Sequence, residues 1–335
     1  MNSMSSMRAW VITEYGGPEV LEERRLPIPE AAPGAVVVRV RAIGVNHAEA
    51  YMRKGAWGEV ARVTGIECAG EVHADGDHKL AAGTKVVAIV GGLGRTLDGT
   101  YAEYVRVPST NVAAVDTSLP WEALAAVPEV FATAWVCLDR ELGVARGASI
   151  LVRGGTSALG QAAIDVARER GLEVLATTRS PERLALLRAL GAEPILETGR
   201  LAGAIREARP QGVDAVLELV GTSTLVDSLA CAKMGSGRVC FAGFLGGLDP
   251  LPGFQPLLHM PSGVRLSFFA SAFELGTASA PLAGVPLQAI VDRVQAGSYR
   301  ARVARVLPFE GMVEAHRLME SSGAGGKIVV LGSQR

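Results

Sequence analysis

Residues 148–180, ASILVRGGTSALGQAAIDVARERGLEVLATTRS, constrain the fold of this chain more than any other stretch. They open on the apolar run Ile150-Leu151-Val152, short enough for one buried parallel strand. A small-residue turn follows, Gly154-Gly155-Thr156-Ser157-Ala158-Leu159-Gly160. Leu159, Ala162, Ala163, Val166 and Ala167 then recur at helical spacing, and Gly171 supplies the stop. Residues 172–176, apolar apart from Glu173, read as a second strand. Strand, glycine turn, helix and strand in this order predict the first half of a dinucleotide-binding fold. A helix N-terminus carries unpaired N–H groups and partial positive charge, which attract a pyrophosphate, and a turn with few side chains lets it approach. Gly155, Ser157 and Gly160 take the three glycine places of G-x-G-x-x-G, with Ser in the middle one. The expected cofactor contacts are therefore Gly155, Thr156, Ser157, Ala158, Leu159 and Gly160.

The residues after the second strand bear on which cofactor is bound. An NAD site usually places Asp or Glu there to accept hydrogen bonds from the ribose hydroxyls. This chain has Thr177-Thr178-Arg179-Ser180. A cation flanked by hydroxyls suits a 2′-phosphate, so NADPH is expected, read by Thr178, Arg179 and Ser180.

The 33 Lys and Arg residues nearly balance the 34 Asp and Glu, and no basic stripe occurs. Nucleic acid and anionic membrane are therefore not expected partners. No uninterrupted apolar segment reads as long enough to span a bilayer, and the N-terminal MNSMSSMRAWVITEYGG lacks the apolar core of a signal peptide. Cys68, Cys137, Cys231 and Cys240 are far apart and form no C-x-x-C, which predicts buried free thiols in a cytoplasmic protein.

In chain order, residues 7–125 read as mostly β. Short strands are expected at 7–13, 36–42, 70–73, 85–90 and 101–107, punctuated by Gly and Pro, as in a small barrel or sandwich. From Trp121 the text becomes helical, at 122–127 and 130–142. After the glycine turn, strands at 193–196, 213–220, 238–242 and 264–271 alternate with helices at 181–190, 201–208 and 223–233. That alternation predicts a parallel sheet covered on both faces. A helix at 286–297 precedes a strand at 302–307, a helix at 309–320 and a strand at 327–331. These last three lie beyond a complete six-strand sheet and are placed back in the first domain.

Several segments together resemble the medium-chain dehydrogenase/reductase superfamily, and most closely its zinc-independent quinone oxidoreductase branch, which includes zeta-crystallin. They are Gly16-Gly17-Pro18-Glu19-Val20-Leu21, Gly44-Val45-Asn46-His47-Ala48-Glu49, Gly65-Ile66-Glu67-Cys68-Ala69-Gly70 and Gly99-Thr100-Tyr101-Ala102-Glu103-Tyr104. The glycine turn, Glu218-Leu219-Val220-Gly221, Gly237-Arg238-Val239 and Gly326-Lys327-Ile328-Val329 complete the set. The resemblance covers nearly the whole chain. It implies an α/β protein in which a GroES-like β-rich domain is split around a Rossmann doubly wound parallel-sheet domain. The expected limits are 1–125 and 300–335 for the GroES-like domain and 126–299 for the NADP(H)-binding domain.

The alcohol dehydrogenase branch of that superfamily binds catalytic zinc with Cys where this chain has Asn46 and His where it has Ile66. No metal is expected here. A plain ketone accepting hydride develops a localised alkoxide and needs a Lewis acid or strong donor. A quinone or α,β-unsaturated carbonyl spreads that charge, so a zinc-free site favours conjugated acceptors. The resemblance implies Asn46 and Tyr51 as catalytic residues, Asn46 donating an amide N–H to the substrate oxygen and Tyr51 supplying a proton or stacking. It places His47, Glu49 and Trp57 in the substrate cleft, and Thr133, Gly243, Phe244, Phe269 and Ser271 around the cofactor. Pairing through residues 264–270, VRLSFFA, into a homodimer is also implied. An enoyl-thioester reductase and a non-catalytic NADPH-binding structural or regulatory protein are the alternative readings.

Overall fold

The computed structural model describes residues 6–321 and 324–333. Its elements are β1 Ser6–Ile12, β2 Leu21–Pro27, β3 Ala35–Val45, α1 His47–Arg53, β4 Glu67–Asp75, β5 Lys85–Ile89, β6 Tyr104–Pro108 and β7 Val112–Ala114. Then come α2 Trp121–Leu124, α3 Pro128–Val136, β8 Ser149–Arg153, α4 Ala158–Glu169, β9 Glu173–Thr178, α5 Leu184–Ala189, β10 Glu193–Leu196 and α6 Ala202–Ala208. The remainder are β11 Ala215–Glu218, α7 Thr222–Cys231, β12 Arg238–Phe241, α8 Pro256–His259, β13 Arg265–Phe268, α9 Ser271–Glu274, α10 Leu287–Gln295, β14 Val303–Leu307, α11 Met312–Glu320 and β15 Lys327–Leu331.

Two compact units result. One comprises the chain up to Ala132 together with everything from Ser271 onward, and the other runs from Thr133 to Ala270. The first unit is a seven-stranded sheet ordered β14-β15-β3-β4-β5-β7, with β6 also on β3 and a separate β1-β2 pair. Strand β3 is its hub. Val36, Val38 and Val40 enter the main core cluster, as their alternation predicts. Val37 is equally buried, because a strand that pairs with β4, β6 and β15 lies deep in the sheet. The second unit is an all-parallel six-stranded sheet ordered β10-β9-β8-β11-β12-β13. This is the doubly wound order of a Rossmann fold. The chain is thus α/β, a β-rich GroES-like unit interleaved with a Rossmann-type one.

The domain limits differ from those the sequence suggests. Residues 271–299 belong with the first unit. Gln288 exchanges hydrogen bonds with the Asp116 backbone, both 2.9 Å, and Gln295 accepts from Thr117 and Ser118. Tyr299 stacks on Phe131 at 5.2 Å. With the sixth parallel strand complete, α10 has no further crossover to make, and it buries Leu287, Ile290, Val291 and Val294 in the first unit instead. The strand expected at 264–271 also stops early, at Phe268.

One further expectation needs correction. The stretch Trp121–Leu142 is helical, long and apolar enough to cross a membrane by length and composition, yet an 18-residue window of it is 78 % buried inside the protein. Burial of most of that window accounts for its apolar character. All four cysteines are free and buried.

A buried polar chain anchors α1 to α11. Arg53, fully buried, donates Nη1–H to His316 Nδ1 at 2.8 Å and Nη2–H to Glu320 at 2.6 Å. Arginine only donates, so His316 Nδ1 accepts and its proton lies on Nε2, 3.0 Å from the Tyr101 hydroxyl. Burial, helped by the Arg53 charge, pushes the His316 imidazole from its usual 6.5 down to about 3. The folded state therefore binds fewer protons than the unfolded chain between these values. Its contribution is complete above pH 6.5 and is lost as pH falls toward 3. Urea unfolding at pH 7 and pH 5 should show the wild type losing about 2 kcal/mol more than His316→Gln over that interval. Equal losses in both proteins would show that the imidazole is not held neutral by the fold.

Candidate functional site

In the first unit, three strands and one helix converge on a buried ionic cluster. The antiparallel register pairs Ile328 with Val45, which sets Lys327 opposite Asn46. Similarly, Cys68 pairs with Ile43, which sets Glu67 beside Gly44. A Cβ at Gly44 would lie 2.4 Å from Glu67 Oε1 and 2.7 Å from the Ala125 carbonyl, so only glycine allows the carboxylate to lie there. Lys327 Nζ donates to Glu67 Oε1 and to Asn46 Oδ1, both at 2.5 Å. The Glu129 backbone N–H donates to Glu67 Oε2 at 2.7 Å. The Lys327 and Glu67 side chains are 3 % and 0 % exposed, so this is an ion pair removed from water, stable only because further hydrogen bonds satisfy it.

Helix α1 brings Glu49 into the same cluster. Asn46 is its N-cap residue and Glu49 its third position, and the Asn46 N–H donates to Glu49 Oε2 at 2.7 Å, half of a capping box. The Ile66 N–H donates to Glu49 Oε1 at 3.2 Å. Glu49 is fully buried. Desolvation pushes its carboxyl up to about 8, against the pull of Lys327, so it carries a proton at neutral pH. Burial and the Lys327 charge push His47 down, keeping its imidazole neutral.

The amide of Asn46 is already engaged. Its Nδ2 faces Glu67 Oε1 at 3.0 Å, the Gly44 carbonyl at 3.3 Å and Glu49 Oε1 at 3.4 Å. Two hydrogens thus meet three internal acceptors. The donor expected to reach a substrate oxygen is turned inward because the helix cap and two carboxylates claim it. Ile66, a buried alkyl side chain, offers no ligand atom. Among the described residues, no group of three or more His, Cys, Asp or Glu side chains is placed to hold a metal ion. Cys68 is buried with its thiol pushed up, and His73 packs edge-on against Tyr104.

Tyr51 and Trp57 do come together, stacked at 6.1 Å with an interplanar angle of 24°. Phe273 continues the row at 5.0 Å from Trp57, and the Arg95 guanidinium caps it, 4.0 Å above the Phe273 ring. Burial pushes the Tyr51 phenol upward, which keeps it protonated at neutral pH.

The second unit holds the glycine turn. Gly154 has φ +89°, a conformation that favours glycine. A Cβ at Gly160 would lie 2.3 Å from the Gly154 carbonyl, and one at Gly155 2.8 Å from Ala176 Cβ. Both glycines are therefore required for close packing of turn, helix and strand. Ser157 caps α4: its hydroxyl accepts from the Gly160 N–H at 3.0 Å and donates to the Gly154 carbonyl at 2.9 Å. A serine at the middle glycine place is accommodated because its side chain folds back into the turn. Gly160 and Gln161 use Ser157 as acceptor. The N–H groups of Ala158 and Leu159, at the start of α4, have no acceptor among the described residues, the arrangement an anion needs. The turn thus suits a dinucleotide pyrophosphate. Thr156 gives its carbonyl to Gln161 Nε2 at 2.9 Å.

The loop expected to read the ribose is more constrained than its sequence suggests. Thr178 is buried and its hydroxyl accepts from the Ser180 N–H at 3.2 Å. The Ser180 hydroxyl donates to Glu182 at 2.8 Å, so it is already committed. Arg179 is exposed. At the far strand ends, a Cβ at Gly243 would lie 2.6 Å from the Leu219 carbonyl. Phe244 packs with Phe241 and Phe268, and Phe269 is buried with its N–H on the Phe241 carbonyl. Thr133 is buried on α3. Ser271 lies in the first unit, where its hydroxyl donates to Glu129 at 2.8 Å.

From the sequence alone, Lys327 has a place in a strand but no role in the site, and α1 is not expected. The spacing Asn46-x-x-Glu49 is a capping-box signature and marks that helix start. Lys327 carried no comparable signal, since only the strand register brings it to Asn46.

Comparison with known proteins gives the following. Residues 32–117 match the alcohol dehydrogenase GroES-like domain and residues 158–275 the zinc-binding dehydrogenase family. The chain is similar to a quinone oxidoreductase of Homo sapiens, 28 % identical over 97 % of this chain and 98 % of that one. It is similar to the structure of a mycobacterial protein complexed with NADPH, with TM-score 0.85, 27 % identity, and 97 % and 100 % of the two chains covered. An NAD-dependent alcohol dehydrogenase structure aligns with TM-score 0.82 and 30 % identity over 98 % of this chain and 100 % of that one.

The Glu49 carboxyl gives a prediction. Its folded value lies above the ordinary 4.5, so its contribution is present below that value and is lost as pH rises through about 8. Between pH 6 and pH 8 the wild type should lose roughly 2–3 kcal/mol more stability than Glu49→Gln, read by urea unfolding. A variant that follows the wild-type curve over this range would mean Glu49 is ionised throughout.

Proposed function

The chain belongs to the medium-chain dehydrogenase/reductase superfamily, an oxidoreductase lineage, and from that premise we propose a zinc-free, NADPH-dependent reductase of quinones or α,β-unsaturated carbonyls. The observation that carries the reading is the Lys327 ammonium on Asn46 Oδ1 and Glu67 Oε1. A cation already satisfies those oxygens, and Asn46 and Ile66 stand where the metal-binding branch has Cys and His. With that cluster occupied, a localised alkoxide lacks its Lewis acid, whereas the delocalised enolate or phenolate of a conjugated acceptor does not require one.

NADPH supplies the hydride when bound. The Ala158 and Leu159 N–H groups would hold its pyrophosphate, and Arg179 would hold the 2′-phosphate by charge-assisted hydrogen bonds. The Tyr51 and Trp57 rings give a flat acceptor a surface to stack on, and the protonated Tyr51 hydroxyl is the proton donor. Asn46 orders the cluster beside them. The similarity to a quinone oxidoreductase and to an NADPH complex supports this reading; similarity to an NAD-dependent alcohol dehydrogenase names the competing outcome. The four buried, unbridged cysteines suit the reducing cytoplasm.

The test measures turnover and cofactor binding together. Purified protein should oxidise NADPH with quinones or enones and leave saturated alcohols unreacted. Arg179→Ala should weaken NADPH binding roughly ten- to a thousandfold, as loss of one or two charged hydrogen bonds implies, and leave NADH nearly unchanged. Efficient alcohol oxidation with NAD and indifference to every conjugated acceptor would replace the reading.

We also propose a homodimer formed by a second copy of this chain on β13. That strand is the outer edge of the second unit's sheet, and Phe268 on it is 58 % exposed. An unpaired, apolar edge favours strand pairing. Light scattering should report twice the chain mass at micromolar concentration, and Phe268→Asp should lower it; a monomeric wild type would contradict the pairing.

A further inference from the structure

Arg153, the last residue of β8, is fully buried and directly precedes the glycine turn. Its guanidinium is held by five hydrogen bonds. Nε and Nη2 donate to the two oxygens of Glu197, both at 2.8 Å, the bidentate geometry that only arginine offers. Nη1 donates to Asp227 at 2.8 Å, to the Ser228 hydroxyl at 3.0 Å and to the Thr224 carbonyl at 3.1 Å. Ser228 in turn donates to Glu218, whose other oxygen accepts the Val220 and Gly221 N–H groups. Asp227 accepts the Leu201 and Ala202 N–H groups at the start of α6. One cation thus ties together the ends of β8 and β11, the loop after β10, and α7.

Glu197 is the member with a consequence for cofactor choice. It follows β10, which pairs in parallel with β9 so that Leu196 lies beside Thr178. The Glu197 N–H donates to the Thr178 carbonyl at 2.8 Å. Its side chain also shares a hydrogen bond with Thr177, whose hydroxyl accepts from the Gly154 N–H at 3.0 Å. A carboxylate here is next to residues 177–180, where an acid favours free ribose hydroxyls and repels a phosphate. Yet the Glu197 side chain is only 6 % exposed, because Arg153 and the Gly199 N–H hold it.

We propose that Arg153 is a positioning residue for cofactor choice, drawing the Glu197 carboxylate into the sheet ends so that it does not oppose a 2′-phosphate at Arg179. The inference rests on the reading of residues 178–180 given above. It adds that NADPH preference depends on a residue that touches neither cofactor nor substrate.

Dissociation constants for NADPH and NADH, measured by fluorescence titration on the full-length protein, test it. Lysine cannot form the fork, so Arg153→Lys should lower the NADPH-over-NADH preference roughly tenfold, almost entirely through NADPH. Adding Glu197→Gln to that variant should restore the preference to within about threefold of wild type, because the released group no longer carries charge. Equal weakening of both cofactors without rescue would show a merely structural role and overturn the proposal. If Arg153→Lys does not fold, two other variants decide. Glu197→Gln alone should leave the preference within about threefold, since a sequestered carboxylate is not felt; a tenfold gain in NADPH affinity would overturn the proposal. The uncharged pair Arg153→Met with Glu197→Met should likewise keep the preference, and its loss would mean Arg153 itself attracts the phosphate. An unaltered preference in Arg179→Ala would instead refute the loop reading beneath it, a separate result.

Discussion

The ammonium of Lys327, held between Glu67 and Asn46, is the interaction on which the first unit depends. A buried lysine needs its charge matched and its hydrogens accepted, or the fold bears the full desolvation cost. Glu67 supplies the charge from the start of β4, and Asn46 supplies the second acceptor from the end of β3. Lys327 itself arrives on the last strand. The C-terminal segment thus completes the first unit: it brings the cation that the Glu67 carboxylate near α1 requires. This is the physical content of a domain split in sequence around another.

The second unit meets a similar problem with Arg153. Glu197, Asp227 and Glu218 gather at the strand ends, and one guanidinium links the first two directly while Glu218 is reached through Ser228. The contrast between the two cations follows from their shapes. Lysine's compact charge suits two single acceptors at the end of an antiparallel register. Arginine's planar fork suits a bidentate carboxylate with three more acceptors on its other side. In both units the polar centre is buried and stands one residue from the segment expected to do chemistry: Lys327 faces Asn46, and Arg153 precedes Gly154.

The parallel sheet, the glycine turn and the return of the last strand were legible because each rests on local signals. Apolar runs of strand length alternate with helical periodicity, and glycines mark where a Cβ would collide. The glycine requirement at Gly155 and Gly160 follows from contacts of 2.8 Å and 2.3 Å that a Cβ would make. Side-chain commitments were not legible. Nothing in Thr178-Arg179-Ser180 shows that Ser180 donates to Glu182, or that Thr178 is buried. Nothing around Asn46 shows that its amide serves three internal acceptors, since Glu67 is 21 residues away in sequence. The unit boundary near residue 270 was missed for the same reason, because the partners of Gln288 and Tyr299 lie in the first unit's loops and in α3.

Charge balance in the first-unit cluster bears on the chemistry that the site can support. Lys327 neutralises Glu67, and Glu49, pushed up to about 8, is protonated at neutral pH, so the group is neutral as a whole. A divalent cation placed among these oxygens would have to displace the ammonium and deprotonate Glu49, and it would find an amide and an alkyl side chain at positions 46 and 66. A neutral, internally satisfied cluster exerts little field on a reacting carbonyl. Under the proposed function, stabilisation of negative charge comes from the acceptor's own conjugation and from groups with a proton to give, of which Tyr51 is the one in the aromatic row. The same burial that leaves the cluster without an open metal position keeps α1 and its Tyr51 in place, and under the proposed function that helix carries the surface on which a flat acceptor stacks.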